Sequence, residues 1–443
     1  MIFSSIEFIA FFLLFLLVIN FFSKQQRNLI ILFSLFFYSY WNFYFVILIL
    51  YFCFFTYISI KKNFDLKIAI LLLILPLIFF KYSNFLVTFF DLKFLFKFVY
   101  AGEIPLAISF VTFTAIACII DIKKKIFDRE IIDFFSVTEF ILFFPQLIAG
   151  PILRLNELYP QLQNKINFKK ENIKFGLLLF IIGFVKKVFI ADNIAVIIDP
   201  IFLSPENYTS EYLFRSFLLF PLQIYFDFSG YIDMALGASI FLGIQLPINF
   251  NKPYLTSTLT EFWRNWHITL SRWFKDYVYI PMGGSKNGTI TTYRNLLATM
   301  ALAGLWHGAS LNFIIWGLLN GLILCFEKIF NLHNDRGIFR NFLNIFIIFN
   351  LWIVFRITEM NKYVEYIIKL YSSILDVFSI TNFFLIIFVL LMILTQKFEN
   401  INSIKNFSKK FNIIFIIIFL IFIVSTGLGI NLGQSEKFIY FQF

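Results

Sequence analysis

The sequence predicts an all-α protein that crosses a membrane many times, and three observations carry that prediction. Of its 443 residues, 60% are hydrophobic and only 14% charged, against roughly 25% charged in soluble domains. Apolar runs recur along the chain, and a hydrocarbon core about 30 Å thick needs roughly 20 apolar residues per helix. The basic residues gather in short clusters between the runs: "SKQQRN" at 23–28, "KKNFDLK" at 61–67 and "DIKKKIFDRE" at 121–130. Cytoplasmic loops under the positive-inside rule have this pattern.

The first run, "IEFIAFFLLFLLVINFF", lacks a basic n-region and a small-x-small cleavage site, so it is read as a retained helix and not a signal peptide. Further runs are expected near 28–42, 43–60, 67–80, 103–120, 172–190, 211–228, 230–246, 296–306, 309–326, 338–357, 380–395 and 411–430. An even number of runs separates each pair of basic clusters, which puts all three on one side. The stretch 83–98 carries Asp91, Lys93 and Lys97 and is expected to be interfacial. Without an internal repeat, a low-complexity linker or a soluble module, residues 1–443 read as a single membrane domain.

Composition also excludes function classes. A net charge of +11 would suggest nucleic acid in a soluble protein, but no basic patch is interleaved with a soluble binding module here. Cys53, Cys118 and Cys325 each sit inside an apolar run. Odd in number and lacking any CxxC, they form neither a disulfide framework nor a zinc site.

Chemistry is then sought where polar residues interrupt apolar ones. In "LAGLWHGASLNFIIWG", residues 302–317, His307 stands in a stretch without Asp, Glu, Lys or Arg from Asn295 to Phe326. An ionisable group at that depth needs a partner or a task. His307 is either a buried neutral histidine hydrogen-bonded across helices or a general base, and the small residues after it allow a helix break or close approach. His267 lies in "FWRNWHITLSRWFKDY" among Trp263, Trp266, Trp273, Tyr277, Arg264, Arg272 and Lys275, a mixture suited to a helix at headgroup level. Its role is either a hydrogen bond alone or part of a reaction site. His333, in "NLHNDRG", reads as solvated. His267 and His307 are forty positions apart and lack an HExxH-like pairing, so no metal site is expected.

Asp227 and Asp233 in "QIYFDFSGYIDMALG" are intramembrane carboxylates, which could orient a histidine, bind a cation or pair with an arginine. Their spacing is about 1.7 helical turns, so they share a face only if Ser229-Gly230 breaks the helix. "PMGGSKNG" at 281–288 is not a Walker sequence; it is a turn, or a loop touching donor phosphates. "FFPQLIAGPILR" at 143–154 has the Pro and Gly punctuation of a re-entrant or broken helix, followed by Arg154 as an anion contact or an anchor.

On four of these stretches, 143–154, 224–237, 262–288 and 302–317, the chain resembles the membrane-bound O-acyltransferase family, and within it the bacterial polysaccharide O-acetylases. The resemblance is strong across about 140–320. It implies a ring of tilted and re-entrant helices around a central tunnel, with His307 as the family's invariant histidine and His267 as the second. Asp227, Asp233, Trp306 and Asn265 are supporting candidates. It further implies no bound cofactor, a cytoplasmic acetyl-CoA or other acetyl thioester as donor, and a cell-wall or extracellular glycan as acceptor. An outer-side SGNH-type acetyltransferase partner and a multi-pass place in the bacterial inner membrane follow from the same resemblance. The excess of Phe, Ile, Lys and Asn suggests an AT-rich genome and favours peptidoglycan over alginate. D-alanyl transfer to teichoic acid is the alternative within the family, and a transporter or flippase the alternative outside it, although the sequence lacks the repeated halves common in transporters.

Overall fold

The computed structural model describes residues 1–92, 99–100, 102–332, 336–372 and 379–430; Lys93, Lys97 and His333 lie outside the described residues. Every regular element among them is helical. In chain order these are α1 (Ile6–Phe21), α2 (Gln26–Ser39), α3 (Val46–Lys61), α4 (Leu66–Leu77), α5 (Ser83–Phe89), α6 (Ile108–Lys123), α7 (Phe134–Leu142), α8 (Phe144–Leu147), α9 (Leu155–Leu162), α10 (Lys170–Phe184) and α11 (Asp192–Leu203). There follow α12 (Ser210–Phe241), α13 (Leu259–Asn265), α14 (Ile268–Phe274), α15 (Thr289–His307), α16 (Leu311–Ile329), α17 (Ile338–Arg356), α18 (Met360–Ser372), α19 (Ile380–Thr395), α20 (Ile401–Ser408) and α21 (Ile413–Ile430).

Among the described residues, five helical stretches are long and apolar enough to cross a membrane: Phe43–Lys61, Leu66–Phe89, Leu311–Ile329, Ile338–Arg356 and Ile380–Phe398. Two further pairs would qualify jointly but are bent, Ile6–Phe21 with Ser23–Ser39 by 104° and Ile401–Ser408 with Ile413–Gly427 by 116°. The protein is therefore a multi-pass, all-helical membrane protein, with fewer straight spans than the apolar runs suggest. Two sequence expectations are corrected. The runs at 211–228 and 230–246 form one 32-residue helix, α12, which Ser229-Gly230 does not break. A glycine inside a helix costs only about 1 kcal/mol relative to alanine, and Ser229 and Gly230 are both buried. The start of the stretch expected to be interfacial, α5, instead continues the apolar helix begun at Leu66.

The described residues fall into two compact units. The first comprises Met1–Gly183, Tyr231–Pro247 and Ser408–Val424. Phenylalanine fills its core: the Phe144 ring meets Phe11 and Phe15 edge-on at 5.3 and 5.2 Å, the offset geometry that ring quadrupoles favour. Phe144 opens the four-residue helix α8 within the buried segment 143–153. The broken helix expected from Pro145, Gly150 and Pro151 is thus present. Inside it, Gln146 Nε2 donates to the Phe140 carbonyl at 2.8 Å.

The second unit comprises Phe184–Gly230, Ile248–Phe407 and Ser425–Phe443. Its centre is the antiparallel hairpin of α15 and α16. A Cβ at Gly304 would collide with the Phe313 carbonyl, and one at Gly317 with the Met300 carbonyl, so the two backbones touch directly, as small residues permit between membrane helices. A π-helical turn, Val185–Ala191, joins α10 to α11 and carries two buried lysines. Lys187 Nζ lies 2.7 Å from Asp192 Oδ1 and 2.6 Å from Asp227 Oδ1. Lys186 Nζ lies 2.7 Å from Glu399 Oε2, which also accepts the Tyr225 hydroxyl at 2.6 Å.

Removing one partner of a buried ion pair strands the others without hydration, at a cost of about 3–5 kcal/mol. Lys187→Met should accordingly lower the thermal unfolding midpoint of the nanodisc-embedded protein sharply. Neutralising the whole cluster (K187M with D192N and D227N) should recover most of the loss; an unchanged midpoint in K187M would show that the lysine does not neutralise its neighbours.

Candidate active site

Helix α15 ends at His307, because Gly308 leaves the helix in extended backbone (φ −171°). The break allowed by the small residues after His307 therefore falls directly behind the imidazole. Two hydrogen bonds tie the turn to the chain beyond α17: Ser310 Oγ donates to the Thr358 carbonyl at 2.9 Å, and Asn312 Nδ2 to the Ile357 carbonyl at 2.5 Å. Around the His307 ring stand Trp306, Trp316 and Phe355, at centroid distances of 4.8, 5.2 and 4.9 Å. The imidazole is only 6% exposed, yet it lines a cavity of about 650 Å³.

That cavity follows the α15–α16 hairpin. Ala303, His307 and Trp316 line it near the turn, Thr299 and Met300 midway, and Leu324, Glu327 and Lys328 near the end of α16. From Trp316 to Lys328 is twelve residues, about 18 Å at 1.5 Å rise per residue. Arg264, Arg272 and Lys275 share the lining with Lys328, and of these four cations only Arg272 is not exposed. The 281–288 segment is a turn with positive φ at Gly283, Gly284 and Gly288. It lies beside Lys328: Ser285 Oγ is 3.3 Å from Lys328 Nζ and 2.7 Å from the Tyr279 hydroxyl.

His267 is fully buried and sits between α13 and α14 in the left-handed region, φ +43°. That conformation costs an L-residue about 1–2 kcal/mol. The segment expected to be one headgroup-level helix is thus two short helices with a strained corner, and Trp266 at that corner is buried. The corner is held from outside. The Asn249 carbonyl accepts the Ile268 N–H at 3.0 Å, and the Asn251 N–H donates to the Asn265 carbonyl at 3.0 Å. The His267 ring meets Phe228 edge-on at 4.7 Å and Trp306 at 6.1 Å, so both histidines lean on the same indole. Burial pushes the His267 imidazole down to about 3, which keeps it neutral at physiological pH.

The supporting candidates are placed as follows. Trp306 stands against both histidines. Asp227 pairs with Lys187, while its neighbour Phe228 faces His267. Asp233 belongs to the first unit, and the unbroken α12 keeps it off the face of Asp227. Asn265 turns its side chain back onto α13, donating to the Glu261 carbonyl at 2.8 Å. Among the described residues no group of three or more His, Cys, Asp or Glu side chains is placed to hold a metal ion.

Sequence reasoning missed Glu327, Phe355 and Asn249. Buried Glu327 accepts the Leu259 and Thr260 N–H groups at 2.6 and 2.9 Å and the Thr260 hydroxyl at 2.7 Å, which docks the start of α13 on α16. A lone glutamate at the end of an apolar run was a usable signal. Nothing in the sequence marked Phe355 or Asn249.

Comparison with known proteins places the chain by its sequence. The description "membrane-bound O-acyltransferase family" matches residues 33–363. A probable alginate O-acetylase of Pseudomonas fluorescens is 41% identical over 58% of this chain and 52% of its own length. The peptidoglycan O-acetyltransferase of Helicobacter pylori is 39% identical over 68% of this chain and 64% of its own. A teichoic acid D-alanyltransferase of Bacillus subtilis is 29% identical over 52% and 60%. The chain thus spans about half to two thirds of the length of these curated relatives. With the match running over most of its residues and through both candidate histidines, the chain belongs to the membrane-bound O-acyltransferase family.

Proposed function

We propose that the protein is a membrane O-acetyltransferase, acting as a single membrane domain in the bacterial inner membrane, and that His307 is its general base with His267 assisting. The observation that carries this reading is the shared lumen: one cavity is lined by His307 and by four cations, Arg264, Arg272, Lys275 and Lys328, with Lys328 about three helical turns from Trp316 along α16. An elongated donor with phosphates at one end and a thioester at the other fits such a cavity. Acetyl-CoA or another pantetheine thioester has that chemistry, since Arg and Lys bind phosphate through charge-assisted hydrogen bonds.

In the proposed reaction an acceptor hydroxyl attacks the thioester carbonyl while His307 takes its proton. The carbon–oxygen bond forms, the carbon–sulfur bond breaks, and the departing thiolate takes the proton from the imidazolium, which restores the base. The aromatic rings around His307 would exclude water and so suppress hydrolysis of the donor. The acceptor is a cell-wall or extracellular glycan, reached with an outer-side SGNH-type partner. Peptidoglycan is favoured over alginate by the excess of Phe, Ile, Lys and Asn, which suggests an AT-rich genome. D-alanyl transfer to teichoic acid is the second reading, supported by the Bacillus subtilis relative.

His307→Ala should abolish wall acetylation in cells, a drop of at least about 10²-fold, while the protein stays in the membrane. Ester-linked acetyl and D-alanine released from the wall by mild base would be measured together, so loss of D-alanine alone would select the second reading. Retained acetylation in H307A would refute the assignment. His267→Ala should reduce acetylation strongly without necessarily abolishing it.

Reversing charge at the mouth, with Lys275→Glu and Lys328→Glu combined, should raise KM for acetyl-CoA about tenfold or more, equivalent to roughly 1.4 kcal/mol, with kcat little changed. The effect should shrink at high salt, because exposed charges are screened. An unchanged KM would remove the phosphate end of the donor from this cavity.

A further inference from the structure

Asn249 precedes the motif-bearing corner by eighteen residues and is itself buried. Its side-chain oxygen takes part in three contacts there. It accepts the Thr269 N–H at 3.0 Å and the Thr269 hydroxyl at 2.9 Å, and it lies 3.4 Å from His267 Nδ1. We propose that Asn249 is a positioning residue that locks His267 in the tautomer with the proton on Nδ1 and the lone pair on Nε2.

Oxygen and nitrogen of an amide are told apart by their partners. A peptide N–H can only donate, so the Asn249 atom facing Thr269 N is the oxygen. An amide oxygen can only accept, so the His267 nitrogen beside it carries the hydrogen. A neutral imidazole has a single N–H, which leaves Nε2 with its lone pair. The backbone supports the same geometry: the Asn249 carbonyl holds Ile268 N–H, and Asn251 N–H holds the Asn265 carbonyl, each at 3.0 Å. The main chain is thus fixed on both sides of a residue in a costly left-handed conformation, and the Phe228 and Trp306 rings flank its side chain. Without the Asn249 amide, neither the corner nor the ring tautomer has this anchor.

The tautomer matters for what His267 can do. A bare Nε2 accepts a hydrogen bond or a proton from a hydroxyl, whereas an Nε2–H only donates. At metal sites, partners that fix a histidine's tautomer contribute about 10- to 100-fold, and an effect of that order is expected here. This consequence rests on the proposed role of His267 in acetyl transfer; the tautomer does not.

The test uses the chain's own scarcity of imidazoles. It has three histidines, so 15N-histidine labelling of the full-length protein in membranes gives three ring systems, and His267→Gln identifies the one of interest. At pH 7 the wild type should show protonated Nδ1 and bare Nε2 at His267. N249A should move the proton to Nε2, wholly or in part, whereas N249D, which keeps an acceptor in place, should leave Nδ1 protonated. With acetyl-CoA as donor, N249A should lower kcat about 10- to 100-fold at unchanged KM, and N249D should recover most of it. Nε2–H at His267 in the wild type, or an unaltered tautomer in N249A, overturns the proposal. Should N249A fail to accumulate, the wild type and N249D decide, since Nε2 protonated alone in either refutes the lock and Nδ1 protonated in both supports it. The spectra are read whether or not the protein transfers acetyl groups, so failure of the tautomer lock and failure of the functional reading give different results.

Discussion

Backbone-to-backbone contact between α15 and α16 is the constraint on which the second unit depends. Gly304 and Gly317 admit that contact because neither has a side chain to hold the helices apart. The hairpin then turns immediately after His307 and sends α16 back along α15 towards Glu327 and Lys328. The turn is tied to residues 357–358, and Glu327 ties α13 to the far end of α16. The cavity walls, the aromatic rings around His307 and the cationic residues of α14 and α16 all take their positions from this pair. In a bilayer, where lipid offers apolar side chains no advantage over each other, such close packing and satisfied hydrogen bonds are the main forces available.

Much of the site could be read from the sequence because membrane sequences make polar residues conspicuous. His307 stood out through the absence of any Asp, Glu, Lys or Arg for a dozen residues on either side, and the broken helix at 143–154 through its prolines and glycine. These signals are local: they come from one segment in one solvent. Ser229-Gly230 shows the limit of local reasoning. As a dipeptide it favours a break, but in a buried helix with Asp227 neutralised by Lys187 there is nothing for a break to relieve, and α12 runs through. The same holds for Leu66–Phe89, where continuous helix was hidden by the charges that follow it.

What stayed illegible depends on contacts between distant segments. Asn249 sits in a loop whose composition is unremarked, and its importance comes only from where residues 265–269 fold against it. Phe355 is one phenylalanine among 68, chosen by the approach of α17 to His307. The fate of Asp227 was open for the same reason, because Lys187 lies forty positions away on a π-helical turn. The cavity itself has no sequence signature, being the space left between α13, α14, α15 and α16.

The length of that cavity has an evolutionary corollary. Lys328 and His307 line it at opposite ends of the α15–α16 hairpin, so on the proposed reading grip and cargo are sensed by different side chains. Exchanging Ala303 or Trp316 would reshape the space beside the imidazole while leaving the Lys328 end as it is. If the proposed donor occupies the cavity, a scaffold built this way can diversify in the small group it handles without relearning how to hold the carrier.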